Sequence, residues 1–119
     1  MPNEAKQKSP LIKQYYRNLI WIQERITRFP KVERCALVPQ IGNLILDILL
    51  LLVEAYYSKK KLATLYRVNM NLEQLRFLMR VSKDRKFISY QQYEFITKQL
   101  IEIGKQLGGW INYQKRVEA

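Results

Sequence analysis

The sequence predicts an all-α protein, an antiparallel up-down-up-down four-helix bundle. In three segments the apolar residues recur at alternating spacings of three and four, and a fourth segment is apolar on nearly every side. No stretch shows the alternation of apolar and polar residues that is typical of a half-buried strand. With 119 residues and short connections between the segments, we expect one domain over residues 1–119.

The first helix is predicted over residues 9–29. Ser9 and Pro10 form the start signal, an N-cap residue followed by proline at the first helical position, and the pair Phe29-Pro30 ends the helix. The apolar residues of this segment are spaced 3-4-3-4-3, which predicts a seam that faces the core. The seam consists of Ile12, Tyr15, Leu19, Ile22, Ile26 and Phe29.

The second helix is predicted over residues 39–57, after an irregular or short helical piece, "KVERCALV". Its run "LILDILLLLVEAYY" is shorter than the about 20 apolar residues of a membrane span and contains Asp47 and Glu54, so we expect no membrane partner. A helix that is apolar on nearly every side needs cover on nearly every side. Because the other helices of one chain leave part of it bare, we expect a second subunit to cover that part.

The third and fourth helices are predicted over residues 61–84 and 89–115. The fourth begins with "SYQQ", a capping-box signal, and its Gly104 and Gly108, four apart, favour the close approach of another backbone over a kink. The seam of the third helix consists of Leu65, Val68, Leu72, Leu75 and Met79. The seam of the fourth helix consists of Tyr93, Ile96, Leu100, Ile103, Leu107 and Trp110.

A basic stripe is predicted on the third helix. Arg76, Arg80 and Lys83 follow at positions i, i+4 and i+7, between the seam and a second apolar line on the opposite side. One interpretation of such a stripe is an anion-binding groove beside a subunit interface, and the two arginines alone do not favour it over the alternative. The alternative is that Arg76 pairs with Glu73 or with an acidic residue of a neighbouring helix, an ion pair of small value. The second apolar line consists of Met70, Phe77 and Val81.

The charge of the chain favours the anion-binding interpretation. Lysine and arginine number 21 against 10 acidic residues, a net charge of +11, which indicates an anionic partner, most often nucleic acid. An anionic membrane surface is less favoured, because the third helix is apolar on two sides. Two further basic runs, "KKK" (59–61) and "KDRK" (83–86), complete the candidate set. The candidate binding residues are Arg76, Arg80, Lys83, Arg85, Lys86, Lys59, Lys60 and Lys61.

The residue types that most catalytic sites need are scarce in this sequence. The chain has no histidine, which excludes a Ser-His pair and the Glu-x-x-His motif of di-iron bundles, and its four glycines form no phosphate-binding loop. We interpret Asp47 and Glu54 as hydrogen-bond acceptors that set helix packing, in preference to an acid–base pair. We therefore expect no enzymatic activity, no catalytic residue, no metal and no cofactor.

The single cysteine and the aromatic residues bear on location and binding. Cys35 cannot form an intramolecular disulfide, and the N-terminus has no apolar leader, so we expect a reducing, cytoplasmic location and an inert thiol. Tyr15, Tyr93 and Trp110 lie on seams and are expected in the core. For five further tyrosines the sequence does not distinguish base stacking from contact with a partner. They are Tyr16, Tyr57, Tyr66, Tyr90 and Tyr113.

Three segments resemble a known family. They are "FPKVERCALVPQI" (29–41), "KKLATLYRVNMNLEQLRFLMR" (60–80) and "QLIEIGKQLGGWI" (99–111). They are similar to the four-helix-bundle proteins that include the ribosomal RNA intervening-sequence proteins, and in particular to the Avd proteins, the accessory variability determinants of diversity-generating retroelements. The resemblance covers residues 10–115. The arginines of "LRFLMR" and the strong positive charge favour the Avd branch.

The resemblance implies a homopentameric barrel that binds RNA and DNA through basic surfaces and associates with the reverse transcriptase of the retroelement. Such proteins support the template-primed, error-prone cDNA synthesis that diversifies a target gene. By position, Arg76 and Arg80 correspond to family residues on the surface for nucleic acid or polymerase, whereas the other candidate residues rest on charge alone. The alternative is a structural scaffold of the intervening-sequence type, which binds a protein partner or ribosomal RNA.

Overall fold

The computed structural model describes residues 2–119, with side chains from Pro10 onward. These residues form four α-helices and one 3₁₀ helix and contain no strand, which confirms the all-α prediction. The helices are α1 (Pro2–Ile26), α2 (Leu37–Tyr57), α3 (Leu62–Asp84) and α4 (Tyr90–Val117), and the 3₁₀ helix (Lys31–Cys35) lies between α1 and α2.

The helices pack side by side as in a four-helix bundle. Each helix packs against the next one along the chain, and α4 packs against α1, which closes the bundle. The described residues extend over 47 × 25 × 20 Å. The long dimension fits the longest helix, because the 28 residues of α4 span about 42 Å at a rise of about 1.5 Å per residue.

The predicted seams form the core of the bundle. All five seam residues of α3 are at most 2% exposed, and the α4 seam from Ile96 to Trp110 is fully buried. Two predicted seam residues, Ile12 and Tyr93, are only partly buried and pack against the core from its edge. Leu11 is buried in place of Ile12, because it lies one helical turn before Tyr15 and Ile12 is rotated by about 100° from it.

The boundaries of α1 differ from the prediction. The helix begins at Pro2 and contains Pro10 in its interior, whereas the sequence signal placed the start at Ser9, whose side chain lies outside the described residues. A proline inside a helix removes one backbone hydrogen bond, and here it does not end the helix. At the other end α1 stops at Ile26, and Phe29 follows in a turn in which its N–H donates to the Ile26 carbonyl at 3.2 Å.

The connection between α3 and α4 has two local features that fix its geometry. The Ser89 hydroxyl accepts from the Gln92 N–H at 3.0 Å, and the Gln92 side chain accepts from the Ser89 N–H at 2.9 Å, which confirms the predicted capping box. Before it, Lys86 adopts a left-handed conformation with φ of 64°. The Phe87 N–H donates to the Ser82 carbonyl at 2.8 Å, the pattern of a Schellman motif at the end of α3.

The glycines of α4 allow no unusually close contact within the chain. A Cβ added at Gly104 would meet the Leu72 side chain at 3.8 Å, an ordinary contact, and one added at Gly108 would meet nothing within 4 Å. The prediction of close backbone approach is therefore wrong for contacts inside this chain. The alternative was a kink at this point, and α4 continues as one helix through these glycines to Val117.

Helix α2 has one face in the core and an apolar face outside it. By length and composition it could cross a membrane, with a mean hydropathy of 1.8, but the core helix of a soluble bundle has the same properties. Its core face is buried against the other helices. The outer face confirms the expectation that one chain leaves part of α2 bare. Its exposed apolar side chains, which we call the α2 outer stripe, are Leu46, Leu50, Val53 and Tyr57.

Candidate nucleic-acid interface

Five of the predicted binding residues lie on the last turns of α3 and in the turn that follows. Only two acidic residues, Glu73 and Asp84, lie in the same stretch, so five cations against two acids leave a local charge of +3. Such an excess on one end of a bundle is the electrostatic footprint of an anion-binding surface. We call this surface the α3 basic cluster; its cations are Arg76, Arg80, Lys83, Arg85 and Lys86.

Arg76 forms the ion pair that was the alternative to anion binding. Its Nη1 atom lies 2.7 Å from Oε1 of Glu73, and the two side chains are 38% and 52% exposed. Exposed pairs of this kind contribute at most about 1 kcal/mol to stability, so the pair fixes the direction of the guanidinium more than it holds the fold. The contact leaves Arg76 at the surface beside Arg80. This position is compatible with both interpretations of the sequence, the ion pair and the anion-binding groove.

Arg80 has an exposed guanidinium with only a weak ion pair. Its side chain is 62% exposed, and its Nε atom lies 3.9 Å from Oδ2 of Asp84, at the limit of an ion pair. That distance is too long for a hydrogen bond. The two Nη groups of Arg80 therefore remain able to bind a phosphate in the bidentate geometry that guanidinium groups favour.

Lys83 connects α3 to α4 at the rim of the cluster. Its Nζ atom lies 3.3 Å from Oδ1 of Asp84 and 4.6 Å from the centre of the Tyr93 ring. A cation over an aromatic face is attracted by the negative face of the ring. Tyr93, expected in the core, therefore lies at the edge of the core with one ring face toward Lys83.

A small cavity opens between α3 and α4 within the α3 basic cluster. Its volume is about 160 Å³. The cavity brings two predicted binding residues, Arg76 and Arg80, together with two residues that the sequence did not associate with binding, Tyr93 and Thr97. The spacing of four between Tyr93 and Thr97 was the available signal, because it places both on one face of α4. The lining consists of Glu73, Arg76, Phe77, Arg80, Tyr93 and Thr97.

The run 59–61 lies at the opposite end of α3 from the α3 basic cluster. At a rise of about 1.5 Å per residue, Lys60 lies roughly 24 Å along the helix axis from Arg76, the first cation of the cluster, and roughly 35 Å from the end of α3. Lys59 and Lys60 are exposed, so the bundle has a second, smaller basic site at this end. The two ends are too far apart to contact the same phosphate.

Lys61 does not belong to either basic surface. It is 5% exposed, and its Nζ atom donates to the carbonyl oxygens of Ala55 at 2.6 Å, Tyr56 at 3.2 Å and Ser58 at 2.5 Å. These carbonyls end α2 and have no helical partner of their own. The ammonium group is therefore inside the protein, where a phosphate does not reach it, and we leave Lys61 out of the candidate interface.

The end of α4 is attached to the same connection. The Glu118 carboxylate accepts from the backbone N–H of Lys61 at 2.9 Å and from the Gln114 side chain at 2.7 Å. The hydrogen bond from the Lys61 backbone, followed by that from Gln114, lowers the pKa of Glu118 from its ordinary value. These contacts stabilise the ionised carboxylate.

The acidic residues of α2 face α3. The Glu54 carboxylate accepts from the Thr64 hydroxyl at 2.9 Å, which agrees with a packing role. Asp47 and Glu54 line a surface cavity of about 230 Å³ together with Arg67. Among the described residues no three potential metal ligands lie together, and Cys35 is exposed.

The comparison with known proteins identifies the family. No curated protein matches this chain. The model of the bAvd-like family matches residues 10–114, nearly the whole chain and nearly the same range as the resemblance described above. The family prediction is thereby confirmed. The chain belongs to the bAvd-like family.

Proposed function

We propose that this chain is a non-catalytic accessory protein of a diversity-generating retroelement, which binds RNA and DNA and associates with the reverse transcriptase. Membership of the bAvd-like family supports the accessory role. The single observation that carries nucleic-acid binding is the α3 basic cluster, with five cations against two acids in a solvent-exposed stretch. The absence of histidine from the sequence supports a binding role over a catalytic one.

The binding mode that fits the cluster is contact with phosphates. Lysine and arginine that neutralise phosphates release counterions, so the affinity depends steeply on salt and little on base sequence. Arg80 has the open geometry for such a contact, and Lys59 and Lys60 form a second basic site at the other end of the bundle. Held in this way, template RNA and nascent cDNA stay close to the polymerase while it copies. We assign this role to the cytoplasm.

A homo-oligomer is part of the proposal, and a pentamer is the expected number. The support is the α2 outer stripe, whose spacing of 4-3-4 on one helical face is that of a packing surface. A second set of exposed apolar side chains, Met70, Phe77 and Val81, lies on α3. Phe77 of this second set lines the cavity between α3 and α4, so we assign the subunit contact to the α2 outer stripe. Several copies arranged around an axis would repeat the α3 basic cluster.

The experiment that tests nucleic-acid binding is fluorescence anisotropy with a structured RNA and a DNA of matched sequence across a salt series. The variant is Arg76→Glu/Arg80→Glu. The matched control is Lys13→Glu/Arg17→Glu, because these exposed residues on α1 have the same spacing of four and the same change in charge. Circular dichroism and the oligomeric mass verify that each variant is folded and assembled.

We expect the wild type to bind with a steep negative salt slope. The α3 variant should bind about tenfold or more weakly at low salt, with the slope reduced by about 1.4 to 1.8 if two phosphate contacts are lost. The α1 control should keep most of the affinity. Equal weakening of the two variants would assign binding to net charge alone, and a wild type that binds neither nucleic acid at low salt contradicts the proposal.

The second candidate is a scaffold that binds a protein partner through its apolar faces, as in the intervening-sequence branch. The exposed side chains of the α2 outer stripe favour it. Co-purification with the reverse transcriptase at low and high salt distinguishes the two candidate functions. An apolar contact persists at high ionic strength, whereas a contact through phosphates of bound RNA is lost on raising the salt or adding ribonuclease.

A further inference from the structure

The cavity between α3 and α4 contains more than a phosphate site requires. Phe77 forms one wall and is 64% exposed, although a large apolar ring in water is unfavourable. It takes part in no ring–ring or cation–π contact with another described residue. A purely electrostatic surface has no need of an exposed aromatic side chain between two arginines.

The cavity has room for a flat organic group. One water molecule needs about 10–15 Å³ of cavity volume. The volume of this cavity, 160 Å³, is roughly ten times that of one water molecule. The opening is flanked by Phe77 from α3 and Tyr93 from α4, and the Thr97 hydroxyl adds a polar group that can donate or accept. Arg80 is also part of the lining.

The two aromatic side chains are not equally available. Lys83 lies 4.6 Å from the centre of the Tyr93 ring, so one face of Tyr93 is already covered by a cation. Phe77 has no such cover, and its ring is the one on which a ligand can stack. Glu73, held by Arg76 at 2.7 Å, places a carboxylate beside the same space, where it can accept from an amino group of a ligand.

We propose that this cavity accepts one unpaired nucleotide of a bound single strand, with the base against Phe77 and the phosphate at Arg80. In a duplex the faces of the bases are stacked on each other and cannot reach a side chain, whereas an unpaired base stacks readily on an aromatic ring. The inference rests on the proposed function. It adds that the α3 basic cluster prefers single strands to duplexes.

The test compares an unstructured fluorescein-labelled RNA strand with the same strand paired to its complement, by anisotropy at one salt concentration. The variant is Phe77→Leu, which keeps an apolar side chain and the charge but removes the ring. The matched control is Tyr66→Leu, which removes an exposed ring about three turns earlier on the same helix.

We expect the wild type to bind the single strand more tightly than the duplex. Phe77→Leu should weaken single-strand binding about tenfold and leave duplex binding unchanged, while Tyr66→Leu changes neither. If Tyr66→Leu weakens single-strand binding and Phe77→Leu does not, the base stacks on Tyr66 and this inference is overturned. Equal affinity for the two forms, unchanged by Phe77→Leu, overturns this inference and leaves the proposed function standing. Failure of the wild type to bind either form at low salt overturns both.

Two further measurements on the wild type do not depend on a variant that folds and assembles. A strand that contains 5-iodouracil is cross-linked with light, and mass spectrometry locates the modified residue. A cross-link to Phe77 or Tyr93 supports the inference, and cross-links only elsewhere overturn it.

The second measurement is competition with a free nucleotide. A free nucleotide has the same base and phosphate, so AMP is added as a competitor. Displacement of the strand by AMP at concentrations similar to that of the strand would assign the cavity to a free nucleotide and overturn the inference.

Discussion

The phenol of Tyr15 on α1 donates a 2.8 Å hydrogen bond to the backbone carbonyl of Ile45 on α2. Both residues are fully buried, so the bond joins two helices inside the core. Burial raises the pKa of Tyr15 far above its ordinary value, because the phenolate would lose its hydration there. The phenol therefore remains protonated, and a hydrogen-bond donor, at neutral pH.

Tyr15→Phe should lower the free energy of unfolding by about 1 kcal/mol. The ring keeps its packing, and only the hydrogen bond to the Ile45 carbonyl is lost. Because this carbonyl lies within the hydrogen-bonded part of α2, its helical hydrogen bond remains and the loss is small. Denaturation in urea measures the change. The control is Tyr16→Phe, since Tyr16 is 52% exposed and should change the stability little. Equal stability of Tyr15→Phe and the wild type would contradict the assignment.

Lys61→Met should destabilise the protein by about 1–3 kcal/mol. Methionine keeps most of the apolar stem but leaves the carbonyls of Ala55, Tyr56 and Ser58 without the ammonium donor. Lys60→Met is the control, because Lys60 is exposed and its loss should fall within about 0.5 kcal/mol. If the two variants have the same melting temperature, the ammonium group does not stabilise the end of α2.

The core could be predicted from the sequence, and the position of Lys61 could not. The α3 seam from Leu65 to Met79 follows from spacing alone, because a helix places residues three and four apart on one face whatever it packs against. Three consecutive lysines look alike in a sequence. Only the path of the chain after Tyr57 brings the third one back under the end of α2.

The candidate site was predictable in part for the same reason. Arg76 and Arg80 share a face of α3 by spacing, so their proximity is a local property. The cavity also needs Tyr93 and Thr97 from α4, and their distance from the arginines depends on how two helices are rotated against each other. A seam pattern specifies which residues face inward but not which ones lie at the rim.

Lys86→Gly should stabilise the protein by about 1 kcal/mol. Lys86 has a φ of 64°, a conformation that is unfavourable for a residue with a Cβ and is adopted readily by glycine at the end of a helix. Arg85→Gly is the control, because Arg85 has a φ of −83° and glycine gains nothing there. Thermal unfolding should show a rise of several degrees for Lys86→Gly alone; a fall would indicate that the lysine side chain stabilises the turn.

Glu118→Gln should destabilise the protein at neutral pH and less so in acid. The folded state lowers the pKa of Glu118 through its hydrogen bonds with Lys61 and Gln114, so the stabilisation is fully present above the ordinary carboxyl pKa and is lost as the pH falls through the lowered value. Thermal melts of both proteins from pH 7 to pH 3 measure the difference. A difference that stays constant over this range would contradict an ionic origin.

Leu50→Lys should dissociate the proposed homo-oligomer without unfolding the subunit. Leu50 is 65% exposed at the centre of the α2 outer stripe, so the lone chain tolerates a lysine there, whereas an apolar subunit contact does not accept an unpaired charge. Sedimentation and circular dichroism should show a smaller mass with unchanged helicity. Val32→Lys is the control, since Val32 is 77% exposed on the 3₁₀ helix, away from the stripe, and should keep the wild-type mass. A monomeric wild type, or a Leu50→Lys variant of unchanged mass, would assign the α2 outer stripe to a different protein, and the reverse transcriptase would then be the first partner to test against it.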